Sequence, residues 1–292
     1  MGETGTMRDT IRVVPGAATL GAEIKDVDLS TQLPEPAFDR IIEALLQHSV
    51  VFFRGQKLTD AQLVAFGRHF GELDEAPINE HNRRPCEEFH EIDVISNVVE
   101  NGIAIGALGS GEAIWHTDMS MFPIPSAFTI LYALEVPKVG GNTHFADMYA
   151  ALDSLPEGVR QKIQPLQANH VANYTSAGNL YPGYGQITDV SKAPGSRHPI
   201  VRTHGVTGRK ALYLGRRRGG YVVGLPVDES EKLLDQLWDA AAQPGTVYEH
   251  AWQVGDVLIW DNRCVIHHAT GGYVYPDVRT MYRTVIAGDT PY

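Results

Sequence analysis

Val257-Leu258-Ile259-Trp260-Asp261-Asn262-Arg263-Cys264-Val265-Ile266-His267 is the stretch on which the fold of this 292-residue chain turns. Its β-branched and aromatic residues suit a pleated, buried surface. They predict an apolar strand from Val257 to Ile266 that His267 closes, its first part, Val257 to Asp261, entered from a turn at Gly255-Asp256. Val247 to Trp252 before it and Arg279 to Ile286 after it read the same way, so the C-terminal part is β-rich. Upstream, Ile11 to Pro15, Ala22 to Val27, Ser49 to Arg54, Ile92 to Ser96, Phe128 to Leu134, Thr143 to Ala146, His198 to Thr203 and Lys210 to Leu214 give further short strands. Between them, Ala37 to His48 carries Phe38, Ile41, Ile42, Leu45 and Leu46 as one stripe at helical spacing. Thr59-Asp60-Ala61-Gln62 reads as a capping box opening a helix to about Phe70. Met148 to Leu155 and Glu157 to Ile163 are short helices, and Asp228-Glu229-Ser230-Glu231 caps one through Ala242 that buries Leu233, Leu234, Leu237 and Trp238. Helices and strands do not alternate in the βαβ rhythm. The expected fold is therefore mainly β with flanking helices, a β-sandwich or jelly roll.

The chain is 43% hydrophobic, ample for a sizeable core, and no shift in composition marks a linker. One domain over residues 11–292 is expected, after a small, polar N-terminus, residues 1–10, that reads as disordered or tag-like. A net charge of −11 argues against a nucleic-acid partner. The basic run Arg216-Arg217-Arg218 reads as an exposed turn. Cys86 and Cys264 alone give no disulfide framework and suit a cytoplasmic protein, with Cys264 a small buried hydrophobe. No basic leader with an apolar stretch and no membrane-spanning run occurs, so no membrane association is expected. A homo-oligomer, dimer or tetramer, is the expected assembly.

Trp115-His116-Thr117-Asp118 carries the chemistry. An imidazole and a carboxylate two residues apart on an extended segment share one face. A second histidine from the distant Val257 to Ile266 strand would complete two histidines and one carboxylate, a facial set that leaves metal positions open. His267 and His268 both lie there; neighbours in a strand face opposite sides, so only one of them ligates, and parity alone does not choose. His144, His170, His204 and His250 have no partner spacing and read as structural or exposed. Two imidazoles and a carboxylate suit Fe(II), Mn(II) or Zn(II). Arg279 and Arg283, four residues apart, shift the choice, since a guanidinium clamp fits the far carboxylate of a metal-chelating dicarboxylate such as 2-oxoglutarate. The Gly-rich stretch from Asn101 to Gly111 reads as a mobile loop feeding the site. Asn173 to Ser196, long and without periodicity, reads as a lid. Met119, Met121, Phe122, Tyr174, Tyr181 and Tyr184 are candidates for a substrate pocket. Competing readings are a zinc-dependent hydrolase on a jelly roll and a β-sandwich binding module.

From about Ile11 to Asp289 the chain resembles the Fe(II)/2-oxoglutarate-dependent dioxygenases of the TauD/TfdA family. The resemblance rests on Val51-Phe52-Phe53-Arg54-Gly55-Gln56, Trp115-His116-Thr117-Asp118, Gly140-Gly141-Asn142-Thr143, Trp260-Asp261-Asn262-Arg263 through His267, and Arg279 with Arg283. Thr203-His204, Gly208-Arg209-Lys210, Gly224-Leu225-Pro226-Val227 and Asn262-Arg263-Cys264 look closer to the 2,4-dichlorophenoxyacetate branch than to taurine dioxygenase. The resemblance implies a double-stranded β-helix, with His116, Asp118 and His267 as iron ligands. It gives Thr143 and Arg279 the distal carboxylate of 2-oxoglutarate, and sets Arg283 near the keto acid end and the substrate's anionic group. Asp261 and Arg263 would position the strand bearing His267. The implied reaction consumes O2 and 2-oxoglutarate, releases succinate and CO2, and hydroxylates a C–H bond of a small anionic organic substrate. An aryloxyalkanoate or related aryl acid is the first choice, and the hydroxylated product of such an ether falls apart. A sulfonate such as taurine is second, because taurine enzymes of the family carry asparagine where this chain has Glu112. Their substrate-binding histidine has no assigned counterpart among Asn79, His81 and Asn82, a second departure from the taurine pattern.

Overall fold

The computed structural model describes residues 11–77, 84–108, 113–181 and 183–292. The N-terminal segment 1–10 and Asn79, His81, Asn82 and Glu112 lie outside the described residues.

The strand Val257–Asp261 is buried along its whole length because it lies inside a sheet covered on both faces. It pairs antiparallel with Val50–Phe53 on one side and Phe128–Glu135 on the other. The full eight-stranded order is Arg12–Pro15, Ala22–Lys25, Val50–Phe53, Val257–Asp261, Phe128–Glu135, Thr280–Ile286, Asp93–Ser96 and Ala107–Leu108. A second sheet places Thr143–Asp147 between Val247–His250 and Val265–Ala269. Side chains alternate across the large sheet as the pleat requires. Val51, Phe53, Ile130, Tyr132, Val257 and Ile259 belong to one core cluster, which includes Ile41 and Leu45 of helix Glu35–His48 and Leu63 and Phe66 of helix Asp60–Arg68. Phe52, Leu131, Leu258, Trp260 and Met281 belong to the other, packed with Phe145, Ala146, Val265 and Ile266 of the small sheet. Each large apolar side chain buried there contributes roughly 1.5–3 kcal/mol, so the two sheets are held firmly face to face. The protein is mainly β with flanking helices.

The expected continuous strand Val257 to Ile266 is broken. Residues 262–264 reverse the chain, with the Cys264 N–H donating to the Asp261 carbonyl at 3.2 Å. The reason is polar: the Asp261 carboxylate accepts from the Arg263 backbone N–H at 3.0 Å and from its guanidinium at 2.7 and 2.8 Å. Asn262, fully buried, donates to Ser126 and Thr129 and accepts from Trp260 Nε1. A run of apolar residues thus contains a folded polar corner, and the strand bearing His267 belongs to the small sheet.

Other departures are local. The capping box at Thr59 and Gln62 is present, but its helix ends at Arg68. The last long helix, Val227–Ala241, starts ahead of the expected cap: Pro226 precedes it, Asp228 and Glu229 lie in its first turn, and the buried Ser230 hydroxyl accepts from the Val222 N–H. The strand Gln167–Val171 was invisible to periodicity because Asn169 and His170 are buried polar residues. Of the stretch expected as a mobile loop, Asn101 to Gly111, the described residues close a hairpin, Val99–Glu100 with Ile103–Ala104, and add an edge strand, Ala107–Leu108, parallel to Asp93–Ser96, while residues 109–111 lie outside the described residues. Arg216 is 7% exposed, which corrects its reading as part of an exposed turn. Arg217 and Arg218 are the outward members of that run, paired with Glu231 and Asp235 and set over Tyr174 respectively. Among the described residues no helix is long and apolar enough to cross a membrane.

Candidate functional site

His116 lies between two chain segments. It forms an antiparallel bridge with His267, its N–H donating to the His267 carbonyl at 3.0 Å and the reverse bond measuring 2.8 Å, and a second bridge with Arg216. Thr117 points the other way, its hydroxyl 2.7 Å from the Val265 carbonyl and 3.2 Å from that of Asn262. Asp118 returns to the side of His116, so the alternation read from the sequence holds, on a bridge and turn instead of a strand. The turn continues through Met119 in the left-handed region, at φ 54°.

The three groups meet. Asp118 Oδ1 is 3.5 Å from His116 Nε2 and 3.8 Å from His267 Nε2, and one donor atom from each residue lies within 4.8 Å of the others. Thr129 donates to Asp118 Oδ2 at 2.9 Å and leaves Oδ1 for the cluster. His116 Nδ1 sits 2.7 Å from the Ile114 carbonyl, which requires the proton there and turns the Nε2 lone pair inward. His268 faces away, stacked on Trp115 with centroids 5.3 Å apart, so geometry selects His267. Burial alone would raise the Asp118 carboxyl, but the two imidazoles and Arg283 outweigh it and keep it ionised. Burial, with His116 beside it, holds His267 well below the usual imidazole range and therefore neutral. An ionised carboxylate, a neutral His267 and a His116 ring whose Nε2 faces inward are what a metal needs, so the donor set fits a divalent cation.

A second buried cluster, His204, Asp261 and Cys264, has its donor atoms equally close. Its lone pairs are already used. His204 Nδ1 accepts from the N–H groups of Val206 and Thr207, its Nε2 meets Asp261 Oδ2 at 2.9 Å, and both Asp261 oxygens take Arg263. Burial pushes the Cys264 thiol far up, so no thiolate is available. This cluster braces the corner that delivers His267, the role expected of Asp261 and Arg263.

Around the candidate metal position lies a cavity of about 400 Å³ lined by Asp93, Thr143, Arg216, Arg279 and Arg283, among others. Its size suits a small organic ligand. Gly140 and Gly141, both at positive φ, bend the chain before Thr143, and a Cβ at Gly140 would stand 2.8 Å from the Gly271 carbonyl oxygen. The bend presents the Gly141 carbonyl to Arg279 Nε at 3.1 Å. Arg279 is 3% exposed, stands over the Trp252 ring and has no carboxylate partner among the described residues. Burial lowers its affinity for its proton, and the neighbouring Tyr273 hydroxyl offsets only part of that. Thr143 Oγ1 accepts from Trp252 Nε1 at 3.0 Å, which leaves its own proton to donate into the cavity. Arg283 is half-buried between two carboxylates, 2.6 Å from Asp93 and 4.0 Å from Asp118.

Of the pocket candidates, Met119, Met121 and Tyr181 line this cavity, while Phe122 and Tyr184 line an adjoining one of about 320 Å³. Tyr174 lines neither; it is buried with its hydroxyl on Gln186. The expected lid contributes Thr175, Ser176, Ala177, Asn179 and Tyr181 to the wall. Sequence reasoning missed Asp93, Thr129 and Arg216. Only the strand alternation on either side of the basic run, setting Arg216 apart from Arg217, could have marked the last of these.

The family model described as "Taurine catabolism dioxygenase TauD, TfdA family" matches residues 12–285. An (S)-phenoxypropionate/alpha-ketoglutarate-dioxygenase from Sphingobium herbicidovorans is 35% identical over 292 residues, covering 97% of each chain. An alpha-ketoglutarate-dependent 2,4-dichlorophenoxyacetate dioxygenase from Cupriavidus pinatubonensis is 37% identical over 257 residues, 84% of this chain and 87% of that one. The crystal structure of AAD-2 in complex with Mn(II) and N-oxalylglycine superimposes with a TM-score of 0.76 at 30% identity, over 97% of this chain and 99% of that one. A facial histidine–carboxylate cluster, a buried arginine beside it that lacks a carboxylate partner among the described residues, and these likenesses agree: the chain belongs to the TauD/TfdA family of dioxygenases.

Proposed function

We propose that this chain is an Fe(II)- and 2-oxoglutarate-dependent dioxygenase that hydroxylates a C–H bond of a small aryl acid, with aryloxyalkanoates as the leading class. We read the fold as a double-stranded β-helix forming one domain over residues 11–292. The observation that carries the reading is the placement of His116, Asp118 and His267 next to the carboxylate-free Arg279 in one cavity. His116, Asp118 and His267 would hold the metal. Bound iron supplies oxygen activation coupled to decarboxylation of 2-oxoglutarate, yielding succinate and CO2.

The remaining chemistry is positioning. Arg279 and the Thr143 hydroxyl bind the distal carboxylate of 2-oxoglutarate, a charge-assisted pair in a nearly dry pocket. Arg283 lies alongside Asp118 and stabilises its charged form. Met119, Met121, Phe122, Tyr184 and Val285 give the adjoining cavity an apolar wall for the substrate's body and keep water from the reacting carbon. A zinc hydrolase has no use for a buried arginine set to receive a second carboxylate. The two free cysteines suit a reducing cytoplasm.

The test is substrate-stimulated succinate formation with phenoxyacetate, phenoxyacetamide and taurine. Phenoxyacetate is expected to stimulate succinate release and to yield phenol as the hydroxylated ether collapses. Turnover of taurine alone would overturn the aryl-acid choice and leave the reaction type standing. Stimulation by none of the three, with no 2-oxoglutarate consumed, would overturn the reaction type.

A further inference from the structure

The adjoining cavity of about 320 Å³ has an acidic far end that the dioxygenase reading leaves without a task. Its wall carries the carboxylates of Asp74, Glu75, Glu91 and Asp93 against the single guanidinium of Arg283. Three of these carboxylates are paired. Asp93 meets Arg283 at 2.6 Å, Glu75 meets Arg84 at 2.9 Å and Glu91 meets Arg68 at 2.5 Å. The Asp74 carboxylate has neither a hydrogen-bond donor nor a cation among the described residues. Partial burial and the like charge of Glu72 raise its carboxyl above the ordinary range, the direction expected of a carboxylate that nothing neutralises.

Backbone pairing aims Asp74 into this cavity. Leu73 bridges Ile286 in antiparallel fashion, and the Asp74 N–H donates to the Val285 carbonyl at 2.9 Å. Successive residues of a pleated pair alternate sides. Leu73 and Ile286 face the core, so Asp74 and Val285, opposite one another, face the cavity whose wall both form. Arg283 lies on the same face of its strand two residues from Val285, a separation of roughly 7 Å. Met119, Met121, Tyr181 and Arg283 are common walls of this cavity and the one around the candidate metal position. A ring seated past Met119 and Met121, with its reacting carbon toward the metal, therefore ends beside Val285 and the Asp74 carboxylate.

We propose that Asp74 is a specificity-determining residue: it accepts a hydrogen bond from a donor group, a protonated amine above all, at the end of the substrate remote from the reacting carbon. This rests on the dioxygenase reading above and adds to it a second recognition point, at the far end of the substrate's body. The Asp74 side chain is half-buried, so a cationic donor satisfies it while both groups keep part of their water. An anionic group in the same place meets Asp74 with Glu72 close by and is repelled. An apolar group packs on Val285 and leaves the carboxylate to water.

The experiment is calorimetric titration into protein carrying Mn(II) and N-oxalylglycine, an inert isostere of 2-oxoglutarate. The ligands are three phenoxyacetates that differ only in the para substituent: aminomethyl, methyl or carboxy. Wild-type protein is expected to bind the aminomethyl compound about tenfold more tightly than the methyl compound, as a hydrogen bond to a charged group warrants. The carboxy compound is expected to bind more weakly than either. Asp74→Asn is expected to bring the aminomethyl and methyl compounds within about threefold of one another, and Asp74→Lys to place the carboxy compound above the aminomethyl one. Affinities for N-oxalylglycine and the methyl compound, expected within about threefold of wild type in both variants, report an intact site, and Asp74→Ser replaces the asparagine variant if that disturbs the fold. Wild-type affinities that ignore the para substituent, or an aminomethyl preference that survives the loss of charge at Asp74, overturn the proposal. Protein that binds N-oxalylglycine but none of the three acids overturns it together with the aryl-acid choice. Failure to bind N-oxalylglycine at all overturns the dioxygenase reading and this proposal with it.

Discussion

Replacing Arg279 by glutamine separates binding from stability in a way that only a ligand-directed arginine allows. In the free protein the guanidinium is 3% exposed, and its Nε donates one hydrogen bond to the Gly141 carbonyl. Loss of that bond costs about 1 kcal/mol, and it is offset by removing a buried charge that no carboxylate among the described residues pairs with and that only the Tyr273 hydroxyl and the Trp252 ring face partly compensate. The stability of the unliganded variant is therefore expected within about 1 kcal/mol of wild type. Binding behaves differently. Truncating one side of a buried charge pair costs about 2–5 kcal/mol, so the dissociation constant for 2-oxoglutarate rises by roughly 30-fold or more. Ligand linkage makes this visible in a melting experiment. At a concentration 100 times the wild-type constant, 2-oxoglutarate stabilises the wild-type protein by about 2.7 kcal/mol and a 30-fold weaker variant by about 0.9 kcal/mol. Scanning calorimetry of the metal-loaded protein with and without 2-oxoglutarate reads both quantities. An unchanged ligand-induced shift in Arg279→Gln would refute the clamp, and a large loss of stability without ligand would make Arg279 a structural residue.

Three further outcomes follow from the same geometry. Burial would raise the Asp261 carboxyl, but hydrogen bonds from Arg263 and His204 hold it at about 2, below its ordinary 3.8. Its folded-state value is depressed, so about 2 kcal/mol of stability present above pH 3.8 should be lost as pH falls toward 2, in a urea-melt series that Asp261→Asn flattens. Asp261→Asn itself should cost roughly 3–5 kcal/mol at neutral pH, because Arg263 is left buried without its carboxylate; a neutral effect in the same melts would mean the corner is not held by this pair. Gly140→Ala, at φ 78° with the Gly271 carbonyl oxygen 2.8 Å from the new Cβ, should weaken 2-oxoglutarate binding through Thr143 and Arg279, and unchanged affinity would detach the bend from the clamp.

What the sequence made legible follows from how local each signal is. His116 and Asp118 were readable because alternation over three residues survives even where the chain bridges and turns. Thr117, buried between them on the opposite side, marks that alternation. The choice between His267 and His268 needed a partner to define the inside, and that partner is the distant Asp118. The break at residues 262–264 was hidden because the local Asp261–Arg263 bonds act together with Asn262 bonds to Ser126 and Thr129, more than 130 residues away. Asp93 looked like any strand-end acid until Arg283 was set beside it. Arg216 failed in the other direction: a run of arginines between glycines resembles a solvated turn, and only its bridge to His116 takes one of them inward.

The central claim is that His116, Asp118 and His267 hold an iron that couples 2-oxoglutarate to oxidation. Its most direct test is oxygen consumption, followed by electrode in protein given Fe(II), 2-oxoglutarate and phenoxyacetate, alongside His116→Ala, Asp118→Ala and His267→Ala. The account predicts that wild-type protein consumes one O2 for each succinate formed, that Zn(II) in place of Fe(II) consumes none, and that all three variants lose both metal retention and oxygen uptake. Oxygen uptake that persists in Asp118→Ala, or product formation with Zn(II) and no oxygen consumed, would contradict it.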